Sequence, residues 1–400
     1  MRSTADVVIV GGGAVGTSIA FHLTQLGLTD VLLLERGELS AGATGRSGAL
    51  IRTHYANAPE ARLAAAALPW FEEWADRVGG ECGFVRTGFV QLVMPGDADR
   101  LHANVVMLTG LGIDTSVLDA TELAALESGL AVADADLGAY EPRSGYADPV
   151  ATTRTLAAAA VRGGAQIQQQ TTVLRLLGAG DRVTGVETTA GRVQADTVIL
   201  ANGSWSVPLT ESLGLDLPIE SVGAQVAFVS RPDGLSGRGG HLTMIDRRTG
   251  IYARPNGRSE TLVGLSQSAR TIASPDDAEV LDSFPGTALH QLALSMPAFA
   301  AQKVLRAHAG PLDVTPDRCA LIGRIEGCDG LVLAVGMSGS GFKKAPAIGA
   351  CVAELVVEGK ARTASIDEFA LSRFAEGRPI VSNDYLLGSS MGGSGPVLVH

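Results

Sequence analysis

The chain has 400 residues, enough for two domains or one large interleaved one with a substantial core. It is 46% hydrophobic and 18% charged, and a net charge of −11 without any lysine or arginine run excludes the usual nucleic-acid partner. No stretch approaches the ~20 uninterrupted apolar residues of a membrane helix, and the four cysteines and seven histidines show no metal-ligand spacing.

The first strand is read over Asp6 to Val10 and runs straight into Gly11-Gly12-Gly13-Ala14-Val15-Gly16. No apolar leader precedes it, so no signal peptide is expected, and the cysteines read as reduced thiols of a cytoplasmic protein. Gly11 permits a tight turn, Gly13 leaves the backbone bare for a pyrophosphate, and Gly16 lets the following helix lie close on the strand. That helix aims its free N–H groups and positive dipole end at the phosphates. Val15, Ile19, Leu23 and Leu26 mark its apolar face, and Gly27 supplies the stop. A second strand, Val31 to Leu34, closes on Glu35, where a carboxylate meets ribose hydroxyls and repels a 2′-phosphate. The turn alone establishes a dinucleotide without saying which one.

Further along, Phe89 to Val93 is a short β run, and Val150 to Val161 reads as an alanine-rich helix. Val183 to Val193 reads as a hairpin turning at Thr189-Ala190-Gly191, and Thr197 to Leu200 as a buried strand ending in Ala201-Asn202-Gly203. Ala224 to Val229 and Thr261 to Leu265 belong to a second, β-rich sheet. Leu331 to Val335 leads through another glycine turn to a helix over Ala347 to Glu358, capped by Gly359. Residues 1–83, 147–220 and 318–380 are thus assigned to a nucleotide-binding domain, and 84–146 and 221–317 to a β-rich domain. The tail 381–400, rich in Gly and Ser around Gly388 to Gly395, is expected to be poorly ordered or to lie on a partner.

Four stretches in order resemble the D-amino-acid oxidase superfamily of FAD enzymes, and most its sarcosine oxidase and glycine oxidase branch. They are the GGGAVG turn with Glu35, the small-residue segment Ser40 to Gly48 leading to Arg52, the Ala201-Asn202-Gly203-Ser204-Trp205 turn, and Gly336 to Lys343. The resemblance implies an α/β fold: a Rossmann-like FAD-binding domain of the glutathione-reductase type, interleaved with a β-rich substrate-binding domain. It implies FAD rather than NAD, held by Gly11, Gly13, Ala14, Val15, Gly16, Glu35 and Arg36. Thr44, Gly45, Arg46, Ser47, Gly48, Val173, Ala201, Gly203 and Trp205 are further expected contacts, as are Gly310, Gly339, Ser340, Gly341, Phe342 and Lys343. The small residues let backbone N–H groups approach phosphates and ring edge, and the helix after the 336–341 turn favours negative charge on a reduced ring.

In the same resemblance Arg52 and Lys343 match the positions that bind the substrate carboxylate. Arginine offers two parallel donors and a buried lysine a point charge; exposed salt bridges are the plainer alternative, and Lys344 competes with Lys343. Tyr252, in Tyr252-Ala253-Arg254-Pro255, falls at the family's active-site tyrosine and either donates to the carboxylate or walls the pocket. His54 follows Arg52 closely and is a candidate for the same cavity, although a core histidine is the favoured reading.

The departures are Gly310, where the sarcosine oxidases carry the cysteine that tethers flavin, and Leu262, Ser266 and Ser340, where they carry a lysine and two histidines. FAD is therefore expected to be non-covalent, Cys319 lying too far along the motif to replace that link, and electrons could leave to an acceptor other than oxygen. The expected activity is oxidation of the C–N bond of an amino acid or N-alkyl amino acid by hydride transfer to flavin, followed by imine hydrolysis. Its rivals are a dehydrogenase or β-type subunit of a larger complex, a non-catalytic flavin-binding protein, and an NAD-dependent dehydrogenase. Self-association and a partner subunit are both left open.

Overall fold

Residues 2–179, 181–235, 240–266 and 268–385 are described in the computed structural model. Thr4–Val10 pairs in parallel with Val31–Leu34 on one side and Gly191–Leu200 on the other, and Gly191–Leu200 pairs in parallel with Cys328–Val335. Val7 and Ile9 point into one apolar cluster and Val8 and Val10 into another. Both faces of this sheet are buried, which is why its central strands read as continuous Val/Ile/Leu runs. The remaining strands of the eight-stranded sheet are Gln166–Gln168 at one edge, the hairpin strands Val173–Ala179 and Arg182–Thr188, and Leu321–Ile325. Val10 lies opposite Leu34 and Leu200, and Leu200 opposite Leu333. The carboxyl ends of four strands therefore meet along one line, the place where open α/β sheets bind ligands.

A nine-stranded sheet runs Arg270–Thr271, Glu220–Ser230, Glu260–Leu265, Ile251–Asn256, Thr243–Asp246, Phe89–Val93, Leu137–Glu141, Ser116–Leu118, with Val304–Val314 paired to Glu220–Ser230. Its strands alternate cleanly. Val90, Met244, Ile251 and Val263 pack under the helix Phe284–Ser295, while Phe89, Ile245, Tyr252 and Leu262 point to the opposite face.

Three expectations need correction. The glycine-turn helix is Ala14–Gln25, and Leu26 beyond it is 37% exposed. It is buried nearly all round because helices Pro149–Arg162 and Gly341–Glu358 both pack on it. Against the latter the approach is close enough that a Cβ on Gly349 would meet Ser18 Oγ at 2.1 Å. Gly191–Leu200 is one strand, not a hairpin arm and a separate strand. The C-terminal helix begins at Gly341 rather than Ala347, directly out of the glycine turn, with Pro346 inside it, and it ends at left-handed Gly359 (φ +82°). Its start, Gly341 and Phe342, lines the same cavity as Ala14 and Val15 at the start of the glycine-turn helix. The expectation for Gly388 to Gly395 lies outside the described residues. Ser382 to Tyr385 dock onto the body: Asn57 Nδ2 donates to Ser382 Oγ at 2.8 Å, and Tyr385 is buried. No helix among the described residues is long and apolar enough to cross a membrane.

Three buried histidines, His22, His54 and His241, set an acid limit on this core. His241 bridges the Leu242 carbonyl (2.7 Å) and Thr261 Oγ1 (2.9 Å), and burial pulls it down to about 4; burial holds His22, beside Trp70, at about 4 as well. All three stay neutral in the fold where the unfolded chain already protonates, so stability is lost as pH falls from about 6.5 toward 4, on the order of 3 kcal/mol per histidine at the acid end. Asp313, raised by burial to about 6, works in the opposite sense below that pH. Urea midpoints should fall between about pH 7 and about pH 5, and the slope should flatten in a His22→Gln, His241→Gln double variant.

Candidate active site

The carboxyl ends of the parallel strands open into a cavity of about 580 Å³. Gly11 (φ +112°) turns there in a conformation that favours glycine, and a Cβ on it would meet the Ala201 carbonyl oxygen at 2.6 Å. A Cβ on Gly16 would meet the Gly11 oxygen at 2.0 Å and one on Gly45 the Ser40 oxygen at 2.5 Å, so these two glycines shape the turns from behind the cavity wall. Gly13, Ala14 and Val15 line it, and Ala14 N–H donates to Thr44 Oγ1 at 3.1 Å. Both oxygens of Glu35 are fixed by backbone donors, Gly12 N–H at 2.7 Å and Gly37 N–H at 2.8 Å, which leaves lone pairs for further donors. Arg36 lies 4.2 Å over the Trp205 ring and pairs with Asp276, to which Trp205 Nε1 also donates at 3.3 Å. Thr44, Arg46, Ser47, Val173, Ala201, Gly203, Gly339, Gly341 and Phe342 complete the predicted residues on this wall.

The residues fit a flavin dinucleotide. Two helix N-termini, Ala14 and Gly341, face the cavity and supply backbone donors for a pyrophosphate. Ser47 Oγ, Asn202 Oδ1 and Asp313 Oδ2 are buried on the same wall without a hydrogen-bond partner among the described residues, as a polyhydroxylated ribityl arm requires. Asp313 escaped the sequence reading because a lone aspartate at a strand end carries no motif.

A second cavity of about 70 Å³ shares Ala43, Arg46, Ser47, Leu312, Gly339 and Phe342 with the first. Here Arg52, Lys343, Tyr252, Gly48 and Gly310 come together, under Ala224, Val226 and Ile245 of the larger sheet. Arg52 is 4% exposed; it donates to the His54 carbonyl and lies 4.5 Å over the Tyr55 ring and 5.8 Å from that of Phe89. No ion pair among the described residues includes Arg52 or Lys343. The nearby carboxylate of Glu141 instead accepts from Thr53 N (2.9 Å), Thr53 Oγ1 (2.7 Å) and Ser144 Oγ (2.7 Å). Lys344, the competitor of Lys343, is fully buried in an ion pair with Glu60 and stays out of the cavity wall. The Tyr252 ring lies between Gly48 and Gly264, where added Cβ atoms would come within 2.9 and 2.0 Å of it.

Other predicted residues are placed elsewhere. Ser340 turns its hydroxyl to the Met337 carbonyl (2.7 Å) and to Glu60. His54 sits behind Arg52 on a third cavity of about 40 Å³, its Nε2 2.6 Å from the Tyr385 hydroxyl, and burial and the Arg52 charge hold it at about 3. Cys319 lines that third cavity too, its thiol pushed up by burial. Leu262 is buried against Val226 and Phe228, and Ser266 is buried with its N–H on the Gly250 carbonyl.

A family model described as "DAO: FAD dependent oxidoreductase" matches residues 6–355. The chain is 27% identical over 389 residues to the mitochondrial pyruvate dehydrogenase phosphatase regulatory subunit of Mus musculus, covering 94% of this chain and 44% of that protein. It thus spans less than half of that longer relative. It is 28% identical over 379 residues to the sarcosine oxidase subunit beta of Rhodobacter capsulatus, covering 93% of this chain and 89% of that one. Among solved structures, the L-proline dehydrogenase of P. horikoshii superposes with a TM-score of 0.87 at 25% identity, over 94% of this chain and 99% of that one.

Proposed function

Because the chain belongs to the DAO family of FAD-dependent oxidoreductases, we propose that it oxidises the C–N bond of a small amino acid or N-alkyl amino acid. One observation carries the reading: a buried arginine in no ion pair among the described residues faces a small cavity that shares its wall with the cofactor cavity. Bound FAD would supply the acceptor for a hydride leaving the substrate α-carbon, and water would hydrolyse the resulting imine. Arg52 orients the substrate carboxylate with two parallel donors, Lys343 adds a second cation, and Tyr252 walls the pocket. Glu35 would hold the adenosine ribose, the glycine turn and the two helix N-termini the pyrophosphate, and Ser47, Asn202 and Asp313 the ribityl hydroxyls. Non-covalent attachment is supported by Gly310, and by Cys319 lying on a different cavity. The division into cofactor and substrate domains at 84–146 and 221–317 is part of the proposal, supported by the two sheets. So is a cytoplasmic place, supported by four buried cysteines without a disulfide.

Leu262 favours a second version of the same chemistry. An apolar residue buried among Val226 and Phe228 offers no cation to draw oxygen onto reduced flavin, which supports a dehydrogenase or a β-type subunit working with a partner. The relatives called L-proline dehydrogenase and sarcosine oxidase subunit beta are compatible with it. The mouse relative, called a regulatory subunit, keeps a non-catalytic flavin protein as the rival.

Anaerobic titration of the holoprotein with D- and L-amino acids, proline and N-methyl amino acids, followed by admission of air, tests these readings. Flavin that stays oxidised with every compound overturns the proposal. Bleached flavin that persists in air but reduces a dye selects the dehydrogenase version. The cofactor assignment has its own check. Gly16→Ala places a methyl against the Gly11 carbonyl, and purified protein should lose most of its flavin absorbance.

A further inference from the structure

Arg52 and Lys343 are neighbouring basic side chains on one small cavity, both almost fully buried, and their surroundings treat them differently. Arg52 is stacked over Tyr55 and held by the His54 carbonyl. Lys343 has no such arrangement. The charged groups near it are Arg52 across the cavity, Arg46 on the cavity wall, Lys344 next along its own helix, and Glu60 on Ala58–Glu72. Glu60 is already paired with Lys344, whose Nζ also lies 5.4 Å over the Tyr55 ring. Tyr252, from Ile251–Asn256, adds only a neutral phenol that burial pushes up. A second ammonium at Lys343 would add a like charge to this desolvated wall, where Glu60, the carboxylate near it among the described residues, is already bound to Lys344.

We infer that Lys343 is the proton acceptor of this site: it takes the ammonium proton of a zwitterionic substrate, then pairs as an ammonium with the substrate carboxylate beside Arg52. The inference rests on the amino-acid reading proposed above. One N–H bond of the substrate ammonium breaks and one forms at Lys343 Nζ, while the bonding pair stays on the substrate nitrogen. Charge is conserved and no co-reactant is needed. The nitrogen lone pair this releases is what loss of hydride from the α-carbon requires. Burial, then the charges of Arg52 and Lys344, hold the Lys343 amine well below the ordinary lysine range in the empty cavity. The arriving carboxylate reverses that preference, so binding and deprotonation are one event.

A carboxylate that carries no ammonium separates this role from simple charge pairing. Tetrahydro-2-furoate and methylthioacetate should draw about one proton per site from the buffer when they bind the holoenzyme near pH 8, read as a dependence of calorimetric heat on buffer ionisation enthalpy. Lys343→Met and Lys343→Arg should abolish the uptake, and the wild-type measurement stands even if one variant fails to fold. With a zwitterionic substrate, Lys343→Met should lose flavin-reduction rate about tenfold per pH unit below the substrate ammonium pKa and recover at alkaline pH. A loss independent of pH would show a merely positional lysine. Binding without proton uptake in the wild type, or uptake that persists in Lys343→Met, overturns the assignment while leaving the amino-acid reading intact. Failure of every amino acid and carboxylate to bind overturns both.

Discussion

Arg52→Met should keep its flavin and its fold while losing about 10²- to 10³-fold in kcat/KM. The guanidinium is buried, stacked over Tyr55 and in no ion pair among the described residues; Glu141 and Asp384 act on it only at a distance, so its donors are free for an arriving carboxylate. Removing a charged, two-donor contact typically costs 2–5 kcal/mol of binding, and each ~1.4 kcal/mol is tenfold. Stability should move the other way. A desolvated cation in no ion pair among the described residues, replaced by an apolar side chain of similar length, leaves the thermal midpoint unchanged or raises it. Arg52→Lys should recover little activity, because an ammonium loses the flat stacking on Tyr55 and the paired donors. Kinetics on whichever amino acid bleaches the wild-type flavin, together with melting of the holoprotein, decide the point. Full activity in Arg52→Met would remove the carboxylate handle from the proposal.

Much of the cofactor half was legible in the sequence because its constraints are local. Gly11 needs a positive φ and a bare approach to Ala201, and Glu35 follows a four-residue buried strand, so residue type and spacing carry the information. Gly191–Leu200 shows where locality stops. Its first half alternates at the rim of the sheet and its second half is buried on both faces, so one strand carries two patterns and reads as two. The C-terminal helix was read six residues short although the glycine turn before it was recognised. The choice between Lys343 and Lys344 was not legible at all. Adjacent helical residues point about 100° apart, and which one faces the cavity depends on Glu60, 284 positions away in the chain. The surroundings of His54 are not legible in the sequence for a similar reason. Nothing near it in sequence indicates that Tyr385 returns to hold its ring behind Arg52.

That distant partner makes Glu60 the position where stability, rather than catalysis, should fail. Lys344 is fully buried and Glu60 is 2% exposed; the carboxylate takes Lys344 Nζ and Ser340 Oγ, while the Glu60 N–H is capped by Asn57 Oδ1 at 2.9 Å. Glu60→Gln keeps the size and the capped backbone but leaves an ammonium in the core without a counter-ion, a loss of about 3–5 kcal/mol. Most of it should return in the Glu60→Leu, Lys344→Met double variant, since exchanging a whole buried pair for apolar side chains is often close to neutral. The single and double variants differ at Lys343 as well. With Glu60 neutralised and Lys344 still charged, Lys343 faces more positive potential. With both removed, it keeps Arg52 as its principal charged neighbour. The double variant should therefore retain turnover within about tenfold of wild type while Glu60→Gln is both unstable and impaired. Denaturant midpoints and turnover measured on the same preparations check this. A Glu60→Gln protein as stable as wild type would mean that Lys344 is neutral in the fold, and a neutral Lys344 would leave Lys343 free to hold its own proton.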